Sequence, residues 1–416
     1  MQTLRVCLDA RMIDGQWGGV QQVVIGLASA LSGLEDGDET YAFLVYEDAC
    51  AWLEPYIGGP CRLLKHGLAP RPATWKQKVK AAPLVQSLWK PLSRYWHRTI
   101  PVPVSDGAIE QAGIGLMHFV TQNGFLTDIP SIYQPWDLQH LHLPELFTQA
   151  EINSREIRYR RFCHQAAAVA VASRWARVDL LHHYRLPEDK VIVVPMASVL
   201  AAYTPPTADD LAQTARKFAL PERFIFYPAQ TWPHKNHLSL LDALASLRAD
   251  GLTVPLVCTG TLNEFYPRIA AHVRRLGLEQ QVRFLGYVAP ADIQCLYRLA
   301  EAVVIPSRFE SWGLPVSEAF MAGVPVAAST ATSLPELVGD AGLLFDPTQP
   351  AEIAAAVRCL WVNEALRCTL IRRGIERARL FSWERTARIF RAHYRRITGR
   401  QLTEEDRALV AAPPPI

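Results

Sequence analysis

The sequence predicts an α/β protein of two domains, each a doubly wound parallel sheet. Three observations carry that prediction. Short apolar runs of strand length alternate with helical patterns along most of the chain, as parallel sheets with crossover helices require. At 416 residues the chain is too long for one ordinary core. Between two such alternations the composition shifts to that of a linker over 196–210, around Pro205, Pro206 and Thr207. The boundary is set there: residues 1–200 form the first domain, 201–383 the second, and a last helix follows at about 384–410.

Half the residues are apolar and 20% are charged, as in ordinary globular proteins. A net charge of only +3 implies no global field for nucleic acid or membrane. The eight cysteines include no Cys-x-x-Cys pair, and several sit in apolar strand or helix patterns. They are expected to be buried thiols in a reducing compartment. The chain starts directly with a strand pattern, without a signal-peptide pattern, and carries no uninterrupted apolar span long enough to cross a membrane. A cytoplasmic location is expected.

In the first domain, a strand at 4–9 leads into Gly15-Gln16-Trp17-Gly18-Gly19-Val20 and a helix at about 21–34, with Val24, Leu27, Ala28 and Leu31 on one face. Such a glycine-rich turn lets backbone approach a phosphate, or is simply a tight turn. It lacks the Gly-x-Gly-x-x-Gly spacing, so a nicotinamide or flavin site is weakly supported. A strand follows at 41–46. From Pro55 to Ser105 there is no Asp or Glu, while basic residues between 62 and 98 are interleaved with Trp75, Trp89, Tyr95 and Trp96. An interfacial segment on an anionic membrane fits this pattern, and so does a solvated helical insertion with aromatics packed inward. Nucleic acid fits less well, because no recognition module accompanies the charge. Strands at 114–119 and 131–133 precede Gln134-Pro135-Trp136-Asp137-Leu138-Gln139-His140-Leu141-His142, then a helix at about 148–166. His140 and His142 could share a metal on one face of an extended segment, but no further Cys or His is suitably spaced, so no metal is assigned. A strand at 168–173, a helix to about 184 and a strand at 191–195 complete this half.

The second domain restarts with a strand at 224–228, followed by His234-Lys235-Asn236 and a leucine-rich helix. A lysine at a helix start adds a point charge to an already positive end, which suits a diphosphate, although a plain surface lysine has the same pattern. Strands at 254–260, 282–286 and 302–306 follow. Ligands of such sheets lie beyond the carboxyl ends of the strands, where Lys235, Gly260 and the loop after 306 all fall.

That loop organises the chain. After the strand come Glu310, a Gly313-Leu314-Pro315 turn with Pro315 as first helical residue, a helix at 316–322, Gly323 as left-handed cap, and a strand at 324–328. A helix start aims unpaired N–H groups at one point and favours an anion. Two acceptor-only carboxylates, Glu310 and Glu318, flank that point, so a ligand bearing both phosphate and hydroxyls, such as a nucleotide sugar, fits. The plainer alternative is that Glu318 complements the helix dipole and Glu310 is a solvated loop residue.

Glu310, seven residues and Glu318, set in Phe-Glu-Ser-Trp-Gly-Leu-Pro-Val-Ser-Glu-Ala-Phe-Met-Ala-Gly-Val-Pro-Val, resemble the signature of the retaining GT-B glycosyltransferases of family 4 (group 1), in particular bacterial polysaccharide mannosyltransferases. The resemblance covers nearly the whole chain and is most specific from Phe226 to Pro347, including Thr332-Ser333-Leu334-Pro335-Glu336. It implies two Rossmann-like domains facing a central cleft, with the last helix packing back on the first domain. It places Gly18 and Gly19 near the donor phosphate and acceptor. Lys235, with His234 before it, and the N–H groups of the stretch Gly313, Leu314, Pro315, Val316 fall to the leaving phosphate. Glu310 would orient sugar hydroxyls, and Glu318 would hold the ribose. Asp137 and His140 match the family's pattern, but Trp136 stands where relatives have a histidine that approaches the donor sugar. Glu310, Lys235 and Asp137 are thus the expected catalytic residues, with His140, His234 and Gly260 among the substrate contacts.

The implied activity is retaining, metal-independent transfer of a hexosyl residue from a nucleotide diphosphate sugar, with no cofactor. The lean is towards GDP-mannose and a lipid-linked or polysaccharide acceptor at the inner membrane face. Two alternatives stay open. A GT-B sugar-nucleotide epimerase would not explain the glutamate spacing followed by Ser-Leu-Pro-Glu. A catalytically impaired binding subunit or scaffold draws support from Trp136, against intact Glu310, Glu318 and Lys235.

Overall fold

A computed structural model describes residues 3–70 and 100–411. Seven strands form the first sheet: β1 (Leu4–Asp9), β2 (Glu39–Val45), β3 (Cys61–Lys65), β4 (Leu116–Phe119), β5 (Ser131–Tyr133), β6 (Ala168–Val171) and β7 (Val191–Val193). Their order is β3-β2-β1-β4-β5-β6-β7, and every pair is parallel. The second sheet holds β8 (Ile225–Pro228), β9 (Leu256–Thr259), β10 (Val282–Phe284), β11 (Ala302–Ile305), β12 (Val326–Ser329) and β13 (Gly342–Phe345), in the order β10-β9-β8-β11-β12-β13, again all parallel. Strands such as Ala302–Ile305 and Ala168–Val171 are buried throughout, because helices cover both faces of a parallel sheet. In each sheet the winding direction reverses once, between β1 and β4 and between β8 and β11. A crevice opens at such a reversal beyond the strand ends.

The helix Trp383–Ile397 packs on the first sheet although it follows the second. Its Tyr394 hydroxyl meets Nδ1 of the buried His118 on β4 at 2.7 Å, and the Trp383 indole N–H donates to the Ser198 carbonyl at 3.1 Å. Gly26, inside the helix Gly19–Ser32, makes room for Trp383: a Cβ there would stand 2.1 Å from the indole ring. The second half of the chain is thereby anchored to the first.

Two strands go beyond the sequence reading, and one expectation changes. Neither β3 nor β13 stands out by periodicity. β3 takes up Arg62 and Lys65, so the start of the basic stretch is an edge strand, with Lys65 3.7 Å from Glu54. The rest of that stretch, 71–99, lies outside the described residues, and with it the membrane-contact reading. Cys359 and Cys368 are exposed rather than buried, while the other six thiols are buried. No helix among the described residues is long and apolar enough to cross a membrane.

Candidate active site

A cavity of about 610 Å³ lies between the two sheets. From the first domain it is lined by Gly18, Gly19, Trp136 and Asp137, and from the second by Lys235, Gly260, Glu310, Gly313, Leu314, Pro315 and Glu318. Most of the residues singled out in the sequence therefore meet on one cleft, at the C-terminal ends of β1, β8, β9 and β11.

Glu310 is fixed through its backbone. Its N–H donates to Thr332 Oγ1 at 3.0 Å, and its carbonyl accepts from the hydroxyls of Thr332 at 2.6 Å and Ser333 at 2.9 Å. The carboxylate is left to face the cleft, where it accepts a 2.6 Å hydrogen bond from Lys235 Nζ. Lys235 is held as firmly. The Tyr227 hydroxyl donates to its carbonyl at 2.6 Å. The next residue, Asn236, sits at φ +60° with its amide donating to the carbonyls of Pro306 and Pro347. Both charged side chains are mostly shielded, at 19% and 12% exposure, so each depends on the other for compensation until a ligand arrives.

The helix Leu314–Ala322 begins one residue earlier than the sequence suggests, with Pro315 as its second residue and Gly313 at φ +97° as N-cap. A Cβ on Gly313 would come within 2.6 Å of Leu334, so glycine is required there on two counts. This geometry corrects the donor set. Pro315 has no N–H, and that of Val316, a buried core residue, donates to the Gly313 carbonyl at 2.9 Å. The N–H groups of Gly313 and Leu314 carry no such bond among the described residues, and they are the pair offered to an anion. The first domain's glycine loop faces this point: a Cβ on Gly19 would stand 3.1 Å from Leu314.

Glu318 lies one turn along the same helix and accepts from the Tyr297 hydroxyl at 2.5 Å. Burial pushes its carboxyl above the ordinary glutamate range, and the tyrosine bond opposes that shift. Asp137 shows the same direction: burial raises its carboxyl, with the charges of Glu310 and Asp179 adding, while the Gln139 N–H bond and Arg155 oppose. Trp136, before it, adopts φ +66° and donates its indole N–H to the Val120 carbonyl at 3.0 Å. Gly260, at φ +112°, lets β9's loop approach Ala229 and Gln230 to within the reach of a single Cβ.

Besides Val316, two expected contacts do not reach the cleft. His140 is fully buried, its Nε2 2.8 Å from Glu156 Oε1 and its ring against Tyr159, because the short helix Gln139–His142 turns it towards the helix Gln149–Gln165. His142 goes elsewhere, to Asp179, so the two histidines do not converge on one ion. His234 is half-buried off the cavity wall, and burial, then the charges of Lys235 and Arg308, pushes its imidazole down to about 2. It contributes a backbone carbonyl, which accepts from Arg308 N–H at 2.8 Å.

Glu336 has a place that motif spacing alone did not assign. It reaches across the cleft, its carboxylate accepting from the backbone N–H groups of Arg174 at 2.9 Å and Trp175 at 2.5 Å, the first turn of the helix Arg174–Tyr184. Arg308 and Glu145 form a second crossing at 3.1 Å, and Phe309 packs against His142 and Trp175. A smaller cavity of about 310 Å³ opens at the same edge of the first sheet, lined by Asp9, Arg11, Tyr46, His66, Asn123 and Arg158 among others.

Comparison with known proteins agrees with this geometry. A family profile described as "Glycosyl transferases group 1" matches residues 211–377. The O-antigen chain mannosyltransferase B of Escherichia coli is 30% identical over 267 residues, 61% of this chain and 70% of that protein. A D-inositol 3-phosphate glycosyltransferase of Corynebacterium efficiens is 31% identical over 257 residues, 58% of this chain and 60% of its own length. Among solved structures, Anabaena Alr3699/HepE in complex with UDP and glucose superposes with a TM-score of 0.67 at 18% identity, covering 94% of this chain and 99% of that one. Sucrose-phosphate synthase from Thermosynechococcus elongatus gives 0.68 at 20% identity, covering 95% and 99%. At that identity the two structures speak for the fold alone.

Proposed function

Because the chain belongs to the group 1 glycosyltransferases and has their GT-B fold, we propose that it transfers a hexosyl residue from a nucleotide diphosphate sugar to an acceptor hydroxyl with retention of configuration. One observation carries the proposal. The Lys235–Glu310 pair and the open N–H groups of Gly313 and Leu314 share one shielded cleft wall, a cationic point beside a carboxylate that can turn to sugar hydroxyls.

The barrier in such a transfer is separation of an oxocarbenium-like sugar from a diphosphate. Lys235 and the two N–H groups meet charge as it grows on the leaving oxygen, which is where preorganised donors act most strongly. Positive charge from these groups makes the scheme metal-independent. The bond from C1 to the phosphate oxygen breaks, the acceptor oxygen bonds to C1 on the same face, and the acceptor's proton passes to the departing phosphate. Glu310, released from Lys235 by the incoming phosphate, orients the sugar hydroxyls. Glu318 takes the ribose hydroxyls, and Asp137 faces the sugar from the opposite wall. The two domains hold the reactants and keep water out.

A mannosyl donor carried by GDP and a polysaccharide or lipid-linked acceptor are favoured by likeness to an O-antigen mannosyltransferase. The smaller cavity, with Arg11 paired to Asp9 and Arg158 on its wall, suits the polar, hydroxyl-rich body of such an acceptor. Calorimetric titration with GDP, UDP and dTDP tests the donor class. Selective GDP binding supports the mannosyl reading; selective binding of another nucleotide replaces it, and binding of none returns the chain to the scaffold alternative. NMR of the product's anomeric proton tests retention.

A further inference from the structure

Beside the cleft, though not among the residues lining its cavity, three metal-ligating side chains meet on the first domain. Asp179 and His183 lie one turn apart on the helix Arg174–Tyr184, a four-residue spacing that sets two ligands on one helical face. His142 reaches them from the end of the helix Gln139–His142. Its Nε2 stands 2.8 Å from Asp179 Oδ1, and His183 Nε2 stands 3.4 Å from the same oxygen. All three ligand atoms lie within 4.8 Å of one another. Tetrahedral zinc with bonds of about 2.0–2.2 Å holds its ligand atoms about 3.3–3.5 Å apart, so small rotations of two rings would close this set on an ion.

The surroundings fit the same chemistry. Asp179 is almost fully shielded, at 7% exposure, whereas His142 and His183 remain about one-third open, leaving room for a water as fourth ligand. Trp175 and Phe309 wall the His142 ring at 5.3 and 5.5 Å, and the two imidazoles meet edge to face at 5.6 Å. Two imidazoles and one carboxylate oxygen directed at one another form a nitrogen-rich set of the kind that takes zinc rather than magnesium or calcium.

We propose that His142, Asp179 and His183 bind a zinc-type divalent ion that has no part in the transfer chemistry and stiffens one side of the cleft. The ion would tie the turn that follows Asp137 to the helix whose N-terminus Glu336 holds, with Phe309, the neighbour of Glu310, against the same wall. The inference rests on this cluster alone, so its failure leaves the glycosyl-transfer reading untouched, and the reverse.

The test uses the full chain, tag-free and stripped with chelator. Zinc is titrated by calorimetry, and cobalt is followed by its visible absorption as a probe of four- or five-coordinate nitrogen-rich sites. The expected result is one ion per chain and a rise in melting temperature with zinc. Affinity should fall by more than about 100-fold in Asp179→Asn and in His183→Ala, since loss of a ligand costs more than loss of a supporting group. His182→Ala, an exposed neighbour outside the set, should bind as the parent does. Circular dichroism and nucleotide binding confirm that each variant is folded. Absence of stoichiometric uptake by the parent, uptake undiminished in Asp179→Asn and His183→Ala, or equal loss in His182→Ala would each overturn the site.

Discussion

Replacing Glu336 by alanine isolates what holds the cleft closed. Its carboxylate accepts two backbone N–H groups at the first turn of the helix Arg174–Tyr184 in the other domain. Hydrogen bonds to a charged group contribute about 1.5–3 kcal/mol each when shielded, and a carboxylate at a helix start adds about 0.3–1 kcal/mol. Opening the cleft returns these groups to water, and Glu336 is only half-buried, so the net loss is set at about 2 kcal/mol. That is about a thirtyfold shift from closed to open. The neighbouring Arg308–Glu145 pair is exposed and contributes about 0–1 kcal/mol, so Arg308→Ala serves as a mild control.

Two assays read the shift. Small-angle scattering of the ligand-free variant should show a larger radius of gyration, which saturating nucleotide sugar brings back towards the parent value. Transfer kinetics should show kcat/KM down by up to about thirtyfold, mostly in KM, because the donor must supply the free energy of closure. Glu336→Gln keeps an acceptor but not the charge and should fall between. Unchanged scattering and unchanged kcat/KM in Glu336→Ala would refute the claim that this contact governs closure.

Three further outcomes are expected. Glu310→Gln should lower kcat by more than about 100-fold while nucleotide diphosphate binding by calorimetry stays within a few fold; transfer at the parental rate would remove Glu310 from the site. Tyr297→Phe removes the hydrogen bond that the Tyr297 hydroxyl gives Glu318, raising that carboxyl further, so nucleotide affinity should fall and its acid-side pH limit should move upward in calorimetric titrations. Burial holds His118 down to about 3, so the unfolded chain binds the extra proton between that value and about 6.5. Stability is therefore complete above the unfolded pKa and lost as pH falls through the window, by about 1.4 kcal/mol per pH unit for this one group. Urea denaturation of His118→Gln from pH 7 to pH 4 should show that slope reduced by about one proton; an unaltered slope would exclude His118 as its source.

The strands and most helices were legible because a buried parallel sheet writes itself as short apolar runs. β3 was hidden because an edge strand with Arg62 and Lys65 has no such run, and β13 because only one of its four residues is buried. The site was legible where chemistry forces a residue type at a fixed point on an element: Lys235, Gly260, Glu310, Gly313 and Glu318 all line the cleft. It was illegible where a side chain's direction decides. His140 and His142 are two apart in sequence, yet one enters the core towards Glu156 and the other meets Asp179, because two residues along a helix point to nearly opposite faces. The same limit hid the supporting set of Tyr227, Tyr297, Thr332 and Ser333, whose hydroxyls find Lys235, Glu310 and Glu318 only through tertiary structure.

Trp136 bears on whether the cleft catalyses or merely binds. A bulky residue at φ +66° costs about 1–3 kcal/mol in backbone strain, and here a buried ring and an indole bond to Val120 hold it in place. The strained turn sets the next residue, Asp137, on the cleft wall, where burial and the charge of Glu310 raise its carboxyl. Both features work against stability. A subunit that only held a nucleotide sugar would need the helix start, Lys235 and Glu318, but no destabilised carboxyl facing Glu310 across the cleft. Backbone strain and a raised carboxyl on adjacent residues are features that cluster at functional sites. They weigh for the enzyme, since Trp136 leaves Lys235, Glu310 and Glu318 in place on the same cleft.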